Sequence, residues 1–205
     1  MEQGDFRFDR ETHRYFYKNI EIPSVTSVLK SAGLVSFIDV PDRHLDFATI
    51  RGKAVHLATQ YDDLGTLDEG TLHSALIGYL ESWRNFKQKC SVEIIDVEKP
   101  LFSAKWMFGG TRDRLAIIGG KVTIIDLKTA STSYPANAIQ VAGYKILQDE
   151  NCNGNRDRRV KRRMVVMLKS DGKFLLEEYF DHEADERIFI SALMISKFKE
   201  RMGLR

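Results

Sequence analysis

Asp126 and Lys128 stand two residues apart at the end of an apolar run, "VTIIDLKT" (122–129). In a strand, alternate side chains share a face, so Val122, Ile124, Asp126 and Lys128 lie on one side and Thr123, Ile125 and Leu127 on the other. The preceding segment, "GGTRDRLAII", carries Asp113, and the glycine pair Gly119-Gly120 predicts a tight hairpin that sets the two strands side by side. Two carboxylates brought together are costly unless a cation neutralises them, and a divalent metal is the natural third party. Mg²⁺ suits hard oxygen ligands and keeps waters available for chemistry. A lysine beside such a site can orient or help deprotonate an attacking water and can steady charge on a phosphoryl group. These are the parts of a metal-dependent phosphodiester hydrolase. Taken alone, the Asp-x-Lys pattern fits an ion-paired strand end more readily.

Other residues bear on that choice. Gln140 and Tyr144, four apart in "NAIQVAGYKILQ", share a helix face and suit a phosphate or a base. A surface glutamine beside a half-buried tyrosine is the bland alternative. His56 in "FATIRGKAVHLATQY" is a candidate metal ligand or a structural histidine. Gly52, four residues earlier, costs a helix interior roughly 1 kcal/mol against alanine, which predicts the close approach of another group there. Glu98 in "DVEKPLFS" would add a third carboxylate from a neighbouring strand.

The elements that must position these residues are legible in outline. "FRFDRETHRYFYKNIEIPS" reads as a small β-ribbon, followed by a short helix, "VTSVLKSA", capped by Ser24 and stopped at Gly33. Helical periodicity predicts two longer helices over about 43–61 and 71–89. Three strands follow, over about 92–104, 106–118 and 121–128, then a helix over 137–148. A hairpin around Asp171-Gly172 comes next, and the closing amphipathic helix places Ile188, Ala192, Ile195 and Phe198 on one stripe. This order predicts an α/β (α+β) fold: a central mixed β-sheet flanked by helices.

The composition agrees, with 205 residues, 43% hydrophobic and 29% charged, enough for one domain with a substantial core. The expected organisation is a β-ribbon and helices over 1–90 and the sheet core over 91–205. No run approaches the roughly 20 apolar residues of a membrane span, and the charged first 15 residues do not read as a secretory signal. Cys90 and Cys152 lie far apart, without the spacing of a zinc or iron–sulfur site, which predicts a reducing cytoplasm. The net charge of +2 is small, but six of eight residues in "RDRRVKRR" (156–163) are basic. That run is either a phosphate-backbone contact or a solvated basic turn. Tyr134 and Trp106 are candidates for stacking on exposed bases, or for the core.

In order and rough spacing, "GKAVH", Glu98, "GTRD", "IDLKT" and "QVAGY" resemble the PD-(D/E)XK nuclease superfamily, and most of all its RecB-type exonuclease branch. "YFYKNIEIPSVTSVLKSAGL" also resembles the opening of phage-type exonucleases and of the mitochondrial genome-maintenance exonuclease. The resemblance implies a restriction-endonuclease-like core and a Mg²⁺- or Mn²⁺-dependent deoxyribonuclease holding one or two ions. It implies that His56, Asp113, Asp126 and the backbone carbonyl of Leu127 bind metal, that Glu98 supports a second ion or the water network, and that Lys128 is the catalytic lysine. Gln140, Tyr144, Thr129 and Arg112 are the implied substrate-binding residues. Arg112 departs from the proline of the superfamily's name. The implied partners are DNA ends or single strands and a recombination or replication protein, in recombination, repair or phage DNA metabolism, with a host cytoplasm if the chain is viral. An endonuclease for nicked or branched DNA, and a catalytically silent DNA-binding module of a larger complex, are the alternatives. The cluster cysteines of some relatives and any P-loop are absent from the sequence, so neither an iron–sulfur cluster nor ATP is expected.

Overall fold

The computed structural model describes residues 2–3, 5–35, 42–130, 132–152 and 155–204, with the backbone alone at 2, 3, 42–46 and 156. Four short strands, β1 (Glu2–Gln3), β2 (Phe6–Asp9), β3 (Arg14–Tyr17) and β4 (Ile20–Ile22), form an antiparallel sheet in chain order. It extends the expected ribbon by one strand. Helix α1 (Val25–Ser31) begins at Ser24, whose hydroxyl accepts from the Ser27 N–H while the Ser27 hydroxyl accepts from the Ser24 N–H. This reciprocal cap satisfies amides that a helix start leaves orphaned. Gly33 follows the helix at φ 74°, in the left-handed region expected of a glycine stop.

Helices α2 (Asp42–Asp63) and α3 (Ser74–Lys89) lead into a five-stranded sheet ordered β5 (Glu93–Ser103), β6 (Phe108–Ile118), β7 (Lys121–Lys128), β8 (Arg162–Leu168), β9 (Phe174–Glu178). Gly119 and Gly120, both at positive φ, turn β6 into β7. Helix α4 (Ala136–Glu150) carries the chain from β7 to β8, which pair in parallel; the other neighbours are antiparallel. A parallel pair requires such a crossover. Helix α5 (His182–Met202) closes the fold. The architecture is a mixed α+β fold, a five-stranded mixed sheet flanked by helices. Among the described residues no helix is long and apolar enough to cross a membrane.

Strand alternation divides the core. Val122 and Ile124 of β7, with Val165 and Met167 of β8, pack on Val28 and Leu29 of α1, Val141 and Leu147 of α4, and Phe189 and Leu193 of α5. Ile125 and Leu127, with Met164, Val166 and Leu168, pack on Val55 of α2 and Trp83 and Phe86 of α3. Asp126 and Lys128 share the face of Val122 and Ile124, which is the face toward α4. The N-terminal sheet docks through Tyr15, whose hydroxyl lies 2.8 Å from Thr111 Oγ1, and through the Gly109 N–H donating to the Pro23 carbonyl.

Two expectations change. In α5 the buried face is Phe189, Ala192, Leu193 and Ser196, while Ile188, Ile195 and Phe198 are exposed. Both faces of this helix carry apolar residues, so periodicity alone could not choose between them. Gly52 meets no close neighbour: an added Cβ would lie 3.7 Å from Thr129 Oγ1, an ordinary contact. Gly78 in α3 is a helical glycine that close packing does require, since a Cβ there would sit 1.8 Å from the Ser170 carbonyl oxygen. Urea denaturation should separate the two. Gly52→Ala is expected to stabilise the fold by up to about 1 kcal/mol, and Gly78→Ala to destabilise it by about 1–3 kcal/mol. Equal effects would refute this packing account.

Candidate active site

The residues that converge come from separate elements: His56 from α2, Glu98 from β5, Asp113 from β6, Asp126 and Lys128 from β7, and Gln140 and Tyr144 from α4. What brings Asp113 inward is a break in the sheet. The β6/β7 ladder runs from Ile118/Lys121 to Arg114/Ile125 and stops. Beyond it the Asp113 carboxylate accepts the Leu127 N–H at 2.7 Å, taking the place of a strand carbonyl. Alternation fails at the same point, because Arg112 reaches Gln148 of α4 and Arg114, two residues on, reaches Asp63 of α2. Opposite them Glu98 adopts φ 46°, a left-handed conformation unfavourable for a side-chain-bearing residue. Local strain of this kind gathers where side chains must be re-aimed.

Two linked groups result. In the first, His56 Nδ1 lies 3.6 Å from both Glu98 Oε1 and Asp113 Oδ2. One donor atom from each of the three residues falls within 4.8 Å of the others, a grouping able to hold a metal ion. His56 Nε2 is 3.0 Å from the Leu127 carbonyl oxygen, which can only accept, so Nε2 carries the proton and Nδ1 faces the carboxylates. In the second group, Asp126 Oδ2 is 2.8 Å from Lys128 Nζ, and Lys128 also donates to Gln140 Oε1 at 3.1 Å. Gln140 returns a hydrogen bond to Asp126 Oδ1 at 3.2 Å and another to the Tyr144 hydroxyl at 3.3 Å. The Leu127 peptide joins the groups, its N–H on Asp113 and its carbonyl on His56.

Asp126, Gln140 and Tyr144 form a buried floor, while His56, Glu98 and Lys128 remain 23–30% exposed at the mouth. Burial raises the Asp113 and Asp126 carboxyls above the ordinary range, and it outweighs the pull of His56 on the first and Lys128 on the second. Burial opposes the charge on Lys128, but Asp126 and Asp113 outweigh it and hold the ammonium protonated. Tyr144 is pushed well above the ordinary phenol value by burial and by the same two carboxylates.

His56 shows the balance most clearly. Burial opposes its charge, yet Asp113, Glu98 and Asp126 raise its pKa to about 9, against 6.5 for a free ring. A raised folded-state pKa gives stability that is fully present below pH 6.5 and lost as pH rises through about 9. In metal-free protein the melting temperature of the wild type should therefore fall more between pH 6.5 and 10 than that of His56→Gln. Parallel curves would contradict the assignment.

A divalent cation fits these residues on two counts. The donor set is hard carboxylate oxygens with one imidazole nitrogen. Asp113 and Asp126 are both buried, and His56 and Lys128, the latter 2.8 Å from Asp126 Oδ2, offset their charge only in part, which favours an added cation.

Among the other expected residues, Thr129 follows β7, with its hydroxyl facing Gly52 of α2. Arg112 does not reach the cleft. Its side chain is fully buried, bonded to Asp96 at 2.9 Å and Gln148 at 3.1 Å between β5 and α4, where no substrate has access. The basic run is also displaced. The parallel register sets Arg162 beside Thr123 and Met167 beside Lys128, so the run enters β8 roughly 17 Å along the strands from Lys128. Within it Arg162 is clamped to Glu178, and Arg163 is buried against His182, Asp185 and the Ala138 carbonyl. Tyr134, 59% exposed in the loop between β7 and α4, is open for stacking, whereas Trp106 packs against the core.

Sequence reasoning missed Arg114. Fully buried, it donates to Asp63 at 2.6 Å, Thr59 at 3.0 Å and Glu98 at 3.1 Å, so it fastens the strained Glu98 to α2. An arginine inside the apolar strand "RLAII" was the available signal, since a buried guanidinium needs partners.

No protein-family model and no curated protein sequence matches the chain. Among solved structures it is similar to a candidate exonuclease from Eubacterium rectale, at 11% identity over 73% of this chain and 68% of that one, with a TM-score of 0.48. It is also similar to an alkaline exonuclease from Laribacter hongkongensis, at 11% identity over 86% and 92% of the two chains, with a TM-score of 0.39. That enzyme in complex with dAMP aligns at 12% identity over 89% and 93%, with a TM-score of 0.38.

Proposed function

We propose that the chain is a Mg²⁺- or Mn²⁺-dependent deoxyribonuclease acting on DNA ends or single strands. The observation that carries this reading is the meeting of His56, Glu98 and Asp113 at a break in the sheet, with the Asp126–Lys128 pair beside them on the next strand. His56 through Nδ1, Glu98 and Asp113, with Asp126, would hold the ion; the Leu127 carbonyl, expected as a ligand, instead accepts from His56 Nε2 on the far side of the ring and orients it. A bound divalent ion supplies Lewis-acid activation of water and neutralises phosphoryl charge. Lys128 places a fixed cation at the mouth of the site, where negative charge builds on a phosphate oxygen in the transition state. Gln140 keeps Lys128 and Asp126 in register through its two amide bonds. Tyr144 remains a neutral hydroxyl beneath them, accepting from Gln140. Thr129 is the near hydroxyl for a phosphate, and Tyr134 the exposed ring for a terminal base.

Linear and covalently closed circular DNA of one sequence, digested side by side with Mg²⁺, test the mode of action. Degradation of the linear form with the circle intact is expected. Nicking or linearisation of the circle would replace the exonuclease reading with an endonuclease.

A further inference from the structure

The basic run "RDRRVKRR" (156–163) divides into two parts. Arg162 and Arg163 hold the fold, the first clamped to Glu178 and the second bonded to His182 and Asp185. Arg158, Arg159 and Lys161 are exposed, and among the described residues no acid lies within ion-pair distance of any of them. Their backbone is nevertheless anchored. Val160, between them, is 4% exposed in the core beside α4, and its N–H donates to Asp149 Oδ1 at 2.8 Å. The Lys161 N–H donates to the Val122 carbonyl at 2.8 Å, and the Arg158 N–H closes the preceding turn on the Asn155 carbonyl at 3.1 Å. Asp157 is the one acid in the run. Burial lowers the pKa of Arg112 to about 10, and the charge of Arg158 adds to that fall. Like charges gathered on an anchored loop repel one another, a cost that a polyanion removes.

We propose that this loop is a second contact for the DNA backbone, remote from the cleft and engaged only by strands long enough to reach it. The two arginine forks suit phosphate oxygens. A membrane surface fits less well, because such segments set exposed apolar side chains beside their cations, whereas Val160 faces inward. Helix α4 sets the separation. Gln140 accepts from Lys128 and Asp149 holds the Val160 amide; residues 140 and 149 are nine apart, which is about 13.5 Å at 1.5 Å per residue. The β7/β8 register gives roughly 17 Å by an independent route. A strand held at both places therefore needs at least about four or five nucleotides at 3.4 Å each. The inference takes DNA as the polyanion from the nuclease reading.

Fluorescence anisotropy of a long labelled single strand in EDTA, titrated with salt, tests the contact without cleavage. Each cation lost should flatten the slope of log K against log salt by about 0.7, so Arg158→Ala with Arg159→Ala and Lys161→Ala is expected to flatten it by about 2 and to weaken binding at low salt about tenfold or more. Arg158→Lys with Arg159→Lys should keep the wild-type slope, because the effect counts charges. A trinucleotide spans about 10 Å at 3.4 Å per nucleotide and cannot reach the loop from the cleft. In Mg²⁺ the wild type's preference in kcat/KM for the long strand over the trinucleotide should therefore fall about tenfold in the triple alanine variant. A wild type that does not bind the long strand, an unchanged salt slope, or an unchanged preference would overturn the proposal. The expected change of slope in proteins that cleave nothing would support the contact and count against the nuclease reading alone.

Discussion

Asp126→Asn is expected to lower the rate of DNA hydrolysis by about 10²–10³-fold or more without unfolding the protein, and Lys128→Ala to do the same. The two changes act on one pair. The Asp126 carboxyl is raised by burial despite the adjacent ammonium, so its charge is poorly compensated in the metal-free fold. Neutralising it removes a buried charge at the same time as it removes the proposed ligand. The melting temperature in EDTA should therefore hold or rise, while the stabilisation given by added metal disappears. For the wild type that stabilisation is about 2.7 kcal/mol at a hundredfold excess over the dissociation constant. Metal-dependent melting curves of both proteins check this, and an Asp126→Asn protein with the wild type's metal shift would show that Asp126 does not hold the ion.

The largest stability effect is expected at Arg114. Its guanidinium has no exposure, lies 5.6 Å from the Trp83 ring centroid, and bonds an equally buried Asp63 as well as Glu98. Arg114→Met deprives both carboxylates of this partner, although Lys87 still reaches Asp63 at 2.6 Å. Breaking a buried pair from one side costs about 3–5 kcal/mol, and the urea midpoint should fall accordingly. Adding Asp63→Asn should recover part of the loss, because the stranded charge goes with it. A fall of less than about 1 kcal/mol, within the range of an exposed pair, would mean that the cluster is not a structural joint between α2 and the sheet.

What the sequence disclosed was set by local chemistry. Ser24 and Gly33 bound α1, Gly119-Gly120 turns β6 into β7, and Gly172 at φ 79° turns β8 into β9, because caps and positive-φ turns depend on a few adjacent residues. Asp126 and Lys128 share a face because strand alternation is geometric. The misplacements needed tertiary facts. Arg112 was assigned to substrate because an arginine beside an acid carries no mark of its direction, and only the break at Asp113 turns it under α4. The basic run could not be placed from sequence, because its position depends on β7 and β8 being parallel, which puts its strand entry at the far end from Lys128. Gly52 and Gly78 read alike in sequence, and what distinguishes them is the Ser170 carbonyl from a distant turn. In α5 the buried stripe was misread because two apolar stripes were present.

The central claim is tested most directly by incubating purified protein with a 5′-labelled single-stranded oligonucleotide in Mg²⁺, in Mn²⁺ and in EDTA. Shortened products with either ion and none in EDTA are the expected result. Intact oligonucleotide in both ions, or cleavage that persists undiminished in EDTA, would contradict a metal-dependent nuclease built on His56, Asp113, Asp126 and Lys128.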